Sequence, residues 1–327
     1  VRNGQKAVME QNVVTQRMGM PMLRENADWA NGLFGGYTAY DFEVSTVLLP
    51  LEAARKLAKV LIESRLSEST PPTHRAEFEA MLPFACSFNL GRNRKIHYVD
   101  VGTGDVFIHE GMNFVPAAPA AAQDPGDGLL RWMEEYARRL ESGIYSVRAL
   151  RPESPATSRG ICLYAAAGPD FSRCVMRGVE VTASCVYMPE HQAGWSYSIS
   201  MRLVGTAAER GFKSCQLKSR KWAIKVEGEP EEIVRGDGVI GFFPILEDGG
   251  WRLNRESDPH GQYVGGTRLG HQAGHFRYQS CSGRSRSMRG TFGGELQMFP
   301  GTIQRPEGEP FWVRLEPFRL YVPDFHF

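Results

Sequence analysis

The sequence predicts two folded units, an α+β unit in the first half and an all-β sandwich in the second. Three observations predict this. At 327 residues the chain exceeds the roughly 250–300 residues that one hydrophobic core serves, and at about 150 residues per domain two cores are expected. Between residues 50 and 145, apolar residues recur at helical spacing among short strand-like runs. From about residue 174 the mixed pattern gives way to alternation with period two, as in strands half buried in a sheet. The expected organisation is therefore an arm or remnant over 1–30, the α+β unit over 31–166 and the sandwich over 172–327.

The elements follow in order. Residues 1–30 are polar, rich in Gln, Met and Arg, and without a sustained period. Leu33-Phe34-Gly35-Gly36-Tyr37 is a turn-rich aromatic patch. Pro50 suits the first helical position, and Leu51, Ala54, Leu57, Ala58, Leu61 and Ile62 share a face, predicting a helix over 50–64 that ends well before Pro71-Pro72. Residues 84–90, 95–101 and 106–109 read as three strands, the last two joined by a Gly-Thr-Gly-Asp turn. The Ala/Pro run at 115–125 reads as a surface loop. Asp127 can cap a helix with Leu129, Met133, Tyr136, Ala137 and Leu140 on its apolar face, Glu134, Glu135, Arg138 and Arg139 toward solvent, and Gly143 at its close.

In the second half, Trp195, Tyr197, Ile199, Met201 and Leu203 alternate with Ser196, Ser198, Ser200 and Arg202. Val179, Val181, Ala183 and Cys185 repeat the pattern against Glu180, Thr182 and Ser184. Further strands are expected at 212–217, 221–226, 275–280, 288–299 and 311–320, with no helix among them, which argues for antiparallel sheets packed as a sandwich.

Charge and motifs narrow the function. Thirty-eight Lys and Arg against 37 Asp and Glu give a net charge of +1, too little to draw the molecule onto nucleic acid or an anionic membrane. No apolar run approaches the ~18–20 residues of a membrane span, and the N-terminal residues do not form a secretory signal. The chain opens on Val1, which leaves room for an upstream segment. Six dispersed cysteines without a CxxC pair read as free thiols of a reducing compartment.

Gly236-Asp237-Gly238-Val239-Ile240-Gly241 matches GxGxxG, but Phe242-Phe243-Pro244-Ile245-Leu246 follows in place of a helix, so a turn between strands is expected and no dinucleotide. His271 and His275 have the spacing of helical zinc ligands, yet no Glu follows His271, and Gly270 and Gly274 disfavour a helix, so no metal is expected. Arg284, Arg286 and Arg289, with Arg277, form a basic patch able to grip carboxylates or phosphates, or else an ordinary charged loop. No catalytic constellation can be assembled from spacing, and the chain reads as non-catalytic. The loops at the ends of a sandwich carry its function. The docking candidates are thus Trp222, Gly236, Gly238, Gly241, Arg277, Arg284, Arg286 and Arg289.

One set of motifs runs through the second half: Tyr187-Met188-Pro189-Glu190, Trp195-Ser196-Tyr197-Ser198-Ile199, Ser219-Arg220-Lys221-Trp222, the 235–241 glycine segment, Phe276-Arg277-Tyr278-Gln279-Ser280-Cys281, Ser287-Met288-Arg289-Gly290 and Gly308-Glu309-Pro310-Phe311. In that order they resemble the ApaG domain, which implies a fibronectin-III-like sandwich, here with an insertion over 252–274 and a shortened loop before Ser287. Gly32-Leu33-Phe34-Gly35-Gly36-Tyr37, Leu48-Leu49-Pro50-Leu51-Glu52, Phe84-Ala85-Cys86-Ser87-Phe88 and the 132–140 helix resemble part of the Smi/Knr-type domain. That module stands next to ApaG in a group of eukaryotic F-box proteins. The resemblance implies protein partners, among them ubiquitin-ligase substrates, and a location inside the cell, in cytoplasm or nucleus, with an organelle left open. A Skp-type adaptor is implied only through an F-box, whose leucine- and proline-rich helical pattern is not found in residues 1–30. The alternative is an accessory subunit of a large assembly that keeps the ApaG fold as adhesive surface.

Overall fold

The computed structural model describes residues 32–39, 42–66, 70–87, 95–110, 113–120, 126–150, 159–191, 193–253, 270–281 and 289–327. The expected arm over 1–30, most of the insertion expected over 252–274, and Arg284 and Arg286 lie outside them. The chain forms two compact units. The first comprises Val1–Leu163, Met188–Gln192 and Pro323–Phe327, and the second Tyr164–Tyr187 and Ala193–Val322.

In the first unit the order is β1 (Gly36–Ala39), β2 (Phe42–Leu48), α1 (Leu51–Arg65), α2 (Pro72–Ala80), β3 (Met81–Ser87), β4 (Ile96–Asp100), β5 (Val106–Glu110), β6 (Asn113–Pro116), α3 (Gly128–Glu141), β7 (Ser146–Ala149) and β8 (Arg159–Cys162). The strands make one eight-stranded sheet in the order β6-β5-β4-β3-β2-β1-β8-β7. Its β1–β8 pair is parallel. Helix α1 begins after Pro50 as its spacing predicts, and Ala54 and Leu57 pack with Met81, Cys86, Ile96 and Tyr98.

Several expectations are corrected or extended here. The glycine-aromatic patch is not only a turn: Gly36 opens β1, where a Cβ would stand 2.1 Å from the Val44 carbonyl oxygen across the β1–β2 hairpin. Pro71-Pro72 lies beyond the end of α1 as expected, and it also starts a further helix, α2, because a helix's first residues need no N–H partner and proline's φ is already helical. Part of the Ala/Pro run is not surface loop, since β6 pairs with β5 and Ala117 and Ala118 are buried. The buried face of α3 is carried by Trp132 and Tyr136, and Ala137 is exposed. Glu135 does not point freely to solvent: it bonds the Nε of Arg138 at 2.6 Å and of Arg139 at 2.7 Å. Those guanidiniums, Arg138 first, hold its carboxyl down at about 2 against the pull of partial burial.

The second unit contains β9 (Phe171–Met176), β10 (Val179–Met188), β11 (Gly194–Leu203), α4 (Ala207–Arg210), β12 (Cys215–Val226), β13 (Glu232–Asp237), β14 (Ile245–Glu247), β15 (Gly250–Leu253), β16 (Gly270–Ala273), β17 (Phe276–Cys281), β18 (Arg289–Pro300) and β19 (Phe311–Tyr321). A four-stranded sheet runs β17-β11-β10-β9, and a larger one runs β16-β15-β14-β12-β18-β19 with β13 also paired to β12. Their facing side chains, including Trp195, Ile199, Met201, Trp222, Phe292, Leu296 and Phe318, form one core. This is the sandwich that the alternation predicts.

The strands expected at 212–217 and 221–226 are the single strand β12, whose register slips between Leu217 and Ser219. A bulge there interrupts the alternation and imitates a strand break. A helix is also present: Thr206 and Glu209 close a reciprocal capping box on α4. The serines of β11, on the face opposite Trp195 and Ile199, are buried as well. Ser196 Oγ pairs with the Tyr164 hydroxyl and donates to the Ser280 carbonyl oxygen at 3.1 Å, and Ser200 Oγ pairs with Thr182 Oγ1 at 2.8 Å. A seryl hydroxyl is short enough to find such partners inside the sheet layer, so burial leaves it satisfied.

Candidate protein-interaction site

The docking candidates fall on the sandwich unit, and β12 positions most of them. It pairs with β13 from Ser219 opposite Asp237 to Ile224 opposite Glu232. Gly236 faces Arg220, and a Cβ there would lie 2.8 Å from Nη1. The missing side chain lets the guanidinium lie along the turn that follows, where Nη1 donates to the carbonyl oxygens of Gly238 at 2.7 Å and Asp237 at 3.2 Å. Lys218 adds an ion pair to Asp237 at 3.0 Å.

The turn itself needs glycine. Gly238 has φ +59° and Gly241 φ +84°, and a Cβ on Gly238 would stand 2.5 Å from the Phe242 carbonyl oxygen. The N–H groups of Gly238, Val239 and Phe242 are bonded to the carbonyl oxygens of Lys218, Phe242 and Val239. After Gly241 the chain enters β14 and not a helix. The turn is thus a firm, cation-flanked knob, and its backbone donors point into its own hairpin.

Arg277 lies on the four-stranded sheet, in a row that crosses all its strands. Arg173 stands opposite Thr182, Thr182 bonds Ser200, and Ser200 stands opposite Arg277. Beside this row Glu180, 3% exposed, accepts from the Nε of Arg173 and of Arg202. Burial pushes the Glu180 carboxyl up, but Arg202 and Arg173 outweigh it and hold it below the usual carboxylate range. The guanidiniums stay wet, with side chains 57% and 43% exposed. Such a surface can grip carboxylate or phosphoryl groups while its buried carboxylate fixes the orientation of the arginines.

Arg277 and the glycine turn share one end of the sandwich. Its neighbour Phe276 packs on Phe242 with ring centres 6.3 Å apart and on Trp251 at 5.0 Å. Arg289 stands at the other end, opposite Tyr321 and past the Val226–Gly290 pair. From Lys218 to Val226 the strand spans about 26 Å at about 3.3 Å per residue. One basic patch joining Arg277 and Arg289 is therefore not formed. Arg284 and Arg286 lie outside the described residues.

Trp222 is also corrected as a docking side chain. It is 2% exposed and packs against Phe292 with ring centres 5.4 Å apart, because it occupies an inward position between Lys221 and Ala223. His271 falls in β16, so its spacing to His275 is not helical. Arg220, Lys218, Arg173, Arg202 and Glu180 were not singled out from sequence. For Glu180 and Arg202 the available signal was their place opposite the apolar set of the alternating strands. Among the described residues, no helix is long and apolar enough to cross a membrane.

Comparison with known proteins finds relatives of this chain. The profile of the ApaG domain matches residues 188–252. The F-box protein SKIP16 of Arabidopsis thaliana is 29% identical over 321 residues, which cover 92% of this chain. The chain spans 65% of that relative's length. The putative ApaA protein from Bordetella pertussis aligns with a TM-score of 0.30 and 22% identity over 44% of this chain and 94% of that one. Protein ApaG from Anaeromyxobacter dehalogenans strain 2CP-1 is 32% identical over 159 residues, 47% of this chain and 97% of its own length. With 97% of that protein covered at 32% identity, the chain belongs to the ApaG family.

Proposed function

We propose that this chain is the non-catalytic partner-recognition part of an F-box-type ubiquitin-ligase subunit. The observation that carries the proposal is that similarity to the F-box protein runs through both units, over 92% of the chain, and not through the ApaG part alone. A protein-interaction module is the reading that the family supports, and the sandwich end bearing the glycine turn, Arg220, Lys218 and Arg277 is the surface it would present. The Smi/Knr-type character of residues 31–166, a place in cytoplasm or nucleus, and contact with a Skp-type adaptor through an F-box of the parent polypeptide belong to the same proposal.

The test is to express the tagged chain in cells with and without a proteasome inhibitor and to quantify what co-purifies. Expected is a set of ubiquitin-bearing proteins that rises several-fold on inhibition and falls when Arg277 is replaced by Ser. One stoichiometric complex, unchanged by the inhibitor, would overturn the ligase reading and make the chain an accessory subunit of that assembly.

A further inference from the structure

We infer that the first unit carries a peptide-binding groove for a short extended segment of a partner protein that bears one aromatic side chain, and that the groove is closed in this chain by its own residues Pro323–Phe327. These residues group with the first unit, although the strand preceding them, β19, belongs to the second. They are held in two ways. The main chain is anchored where His326 N–H donates to the Ala117 carbonyl oxygen at 2.9 Å, Trp132 Nε1 donates to the His326 carbonyl oxygen at 2.7 Å, and Lys95 Nζ donates to the Phe327 carbonyl oxygen. The Phe327 ring enters an aromatic box, with centres 5.1 Å from Trp132, 5.1 Å from Tyr136 and 6.0 Å from Tyr145, and the Arg139 guanidinium 5.0 Å over its face.

Main-chain anchors plus a pocket for one side chain are how extended peptides are recognised in general. Lys95 is 1% exposed and Trp132 fully buried, and each directs its donor at a main-chain oxygen of this segment. A buried ammonium is tolerated only where it is partnered, so this groove is built to be occupied. Its contacts read a backbone and one ring, which any segment of the same pattern offers.

A tail tethered to its own groove acts at an effective concentration in the millimolar range, so a partner segment must compete with it. This deepens the partner-recognition reading by giving the partner's chemistry, yet its test needs no ligase component and can fail or succeed separately. A labelled peptide with the sequence of Pro323–Phe327 is titrated by fluorescence anisotropy into the full chain and into its Phe327→Ala variant. Expected is binding to the variant about ten-fold or more tighter than to the wild type, because the pocket has been vacated. The same peptide ending in Ala should lose that advantage, and so should a Trp132→Phe, Phe327→Ala double variant. If the alanine variant does not keep the wild-type circular-dichroism spectrum, Phe327→Leu replaces it. Absence of peptide binding to a folded variant, or equal binding of both peptides, would overturn the inference. So would concentration-dependent dimerisation lost in Phe327→Ala, which would assign the groove to the tail of a second copy.

Discussion

Ile199 has no exposed surface and lies between the two sheets in the core of the sandwich unit. Replacing it by Ala removes buried carbons and leaves a cavity, so a loss of about 2–5 kcal/mol is expected in urea unfolding; a loss below about 0.5 kcal/mol would contradict its place in the core. The glycine turn offers a sharper comparison. Gly238 and Gly241 both have positive φ, but a Cβ on Gly238 would stand 2.5 Å from the Phe242 carbonyl oxygen, whereas one on Gly241 meets nothing within 4 Å. Gly241→Ala is therefore expected to carry only the backbone penalty of about 1–2 kcal/mol, and Gly238→Ala that penalty plus the shift of a peptide group. Equal unfolding midpoints for the two variants would refute the turn geometry. At this scale the sequence was informative wherever period two held. The inward positions Trp195, Ile199 and Met201 were legible from alternation alone, and the same rule applied to Lys221-Trp222-Ala223 places Trp222 inside. Trp222 was misjudged only because a tryptophan near a loop suggests a docking residue. The clamp of Arg173 and Arg202 on Glu180 was not legible, because it joins three strands whose mutual register no local pattern carries.

Elements were legible in proportion to how local their causes are. Helices α1 and α3 follow from spacing and flanking residues within their own windows, and so were foreseen nearly at their observed bounds. β1 and β6 depend on partners across the sheet, and β12 carries a bulge, so propensity misplaced or divided them. The tail Pro323–Phe327 is the extreme case: a strandless pentapeptide whose position depends entirely on α3, Ala117 and Lys95. Its chemistry makes its docking depend on pH. The His326 ring is held down at about 3 by burial first, then by Lys95 and Arg139, against an ordinary value of about 6.5. The charged and titratable groups that act on it are Lys95, just before β4, His97 on β4 and Arg139 on α3, and the charge of Glu190 opposes the fall in the Lys95 pKa. The docked state binds fewer protons than the undocked one. Its stability is therefore complete above about pH 6.5 and is lost as pH falls from there toward about 3. The protection of the 325–327 amides, taken relative to the intrinsic exchange rate at each pH, should fall between pH 7 and 5 in the wild type and stay level over that interval in His326→Gln. Level protection in the wild type would show that His326 protonates without disturbing the tail.

At the scale of the whole molecule, the first unit is assembled from three stretches of chain, Val1–Leu163, Met188–Gln192 and Pro323–Phe327. The change of pattern near residue 174 marks where the sandwich strands begin, but two short returns of the chain leave no trace in composition, since each is held by side chains more than a hundred residues away. The Tyr37 hydroxyl donates to Glu190, Trp132 donates to His326, and Lys95 donates to Phe327. A fragment of residues 32–163 keeps Tyr37, Trp132 and Lys95 but loses all three acceptors. Each lost hydrogen bond costs about 0.5–1.5 kcal/mol, losing the buried Phe327 ring adds about 1.5–3 kcal/mol, and together these are a sizeable part of the 5–15 kcal/mol by which a domain is typically stable. The fragment is thus expected to unfold at much lower urea than the first unit of the intact chain, or to show no cooperative transition. Because a ligand that binds only the folded state stabilises it by mass action, adding an excess of the Pro323–Phe327 peptide should raise the fragment's midpoint, and the same peptide ending in Ala should not. A fragment as stable as the intact first unit, and indifferent to the peptide, would show that the two returning segments decorate this unit without supporting it.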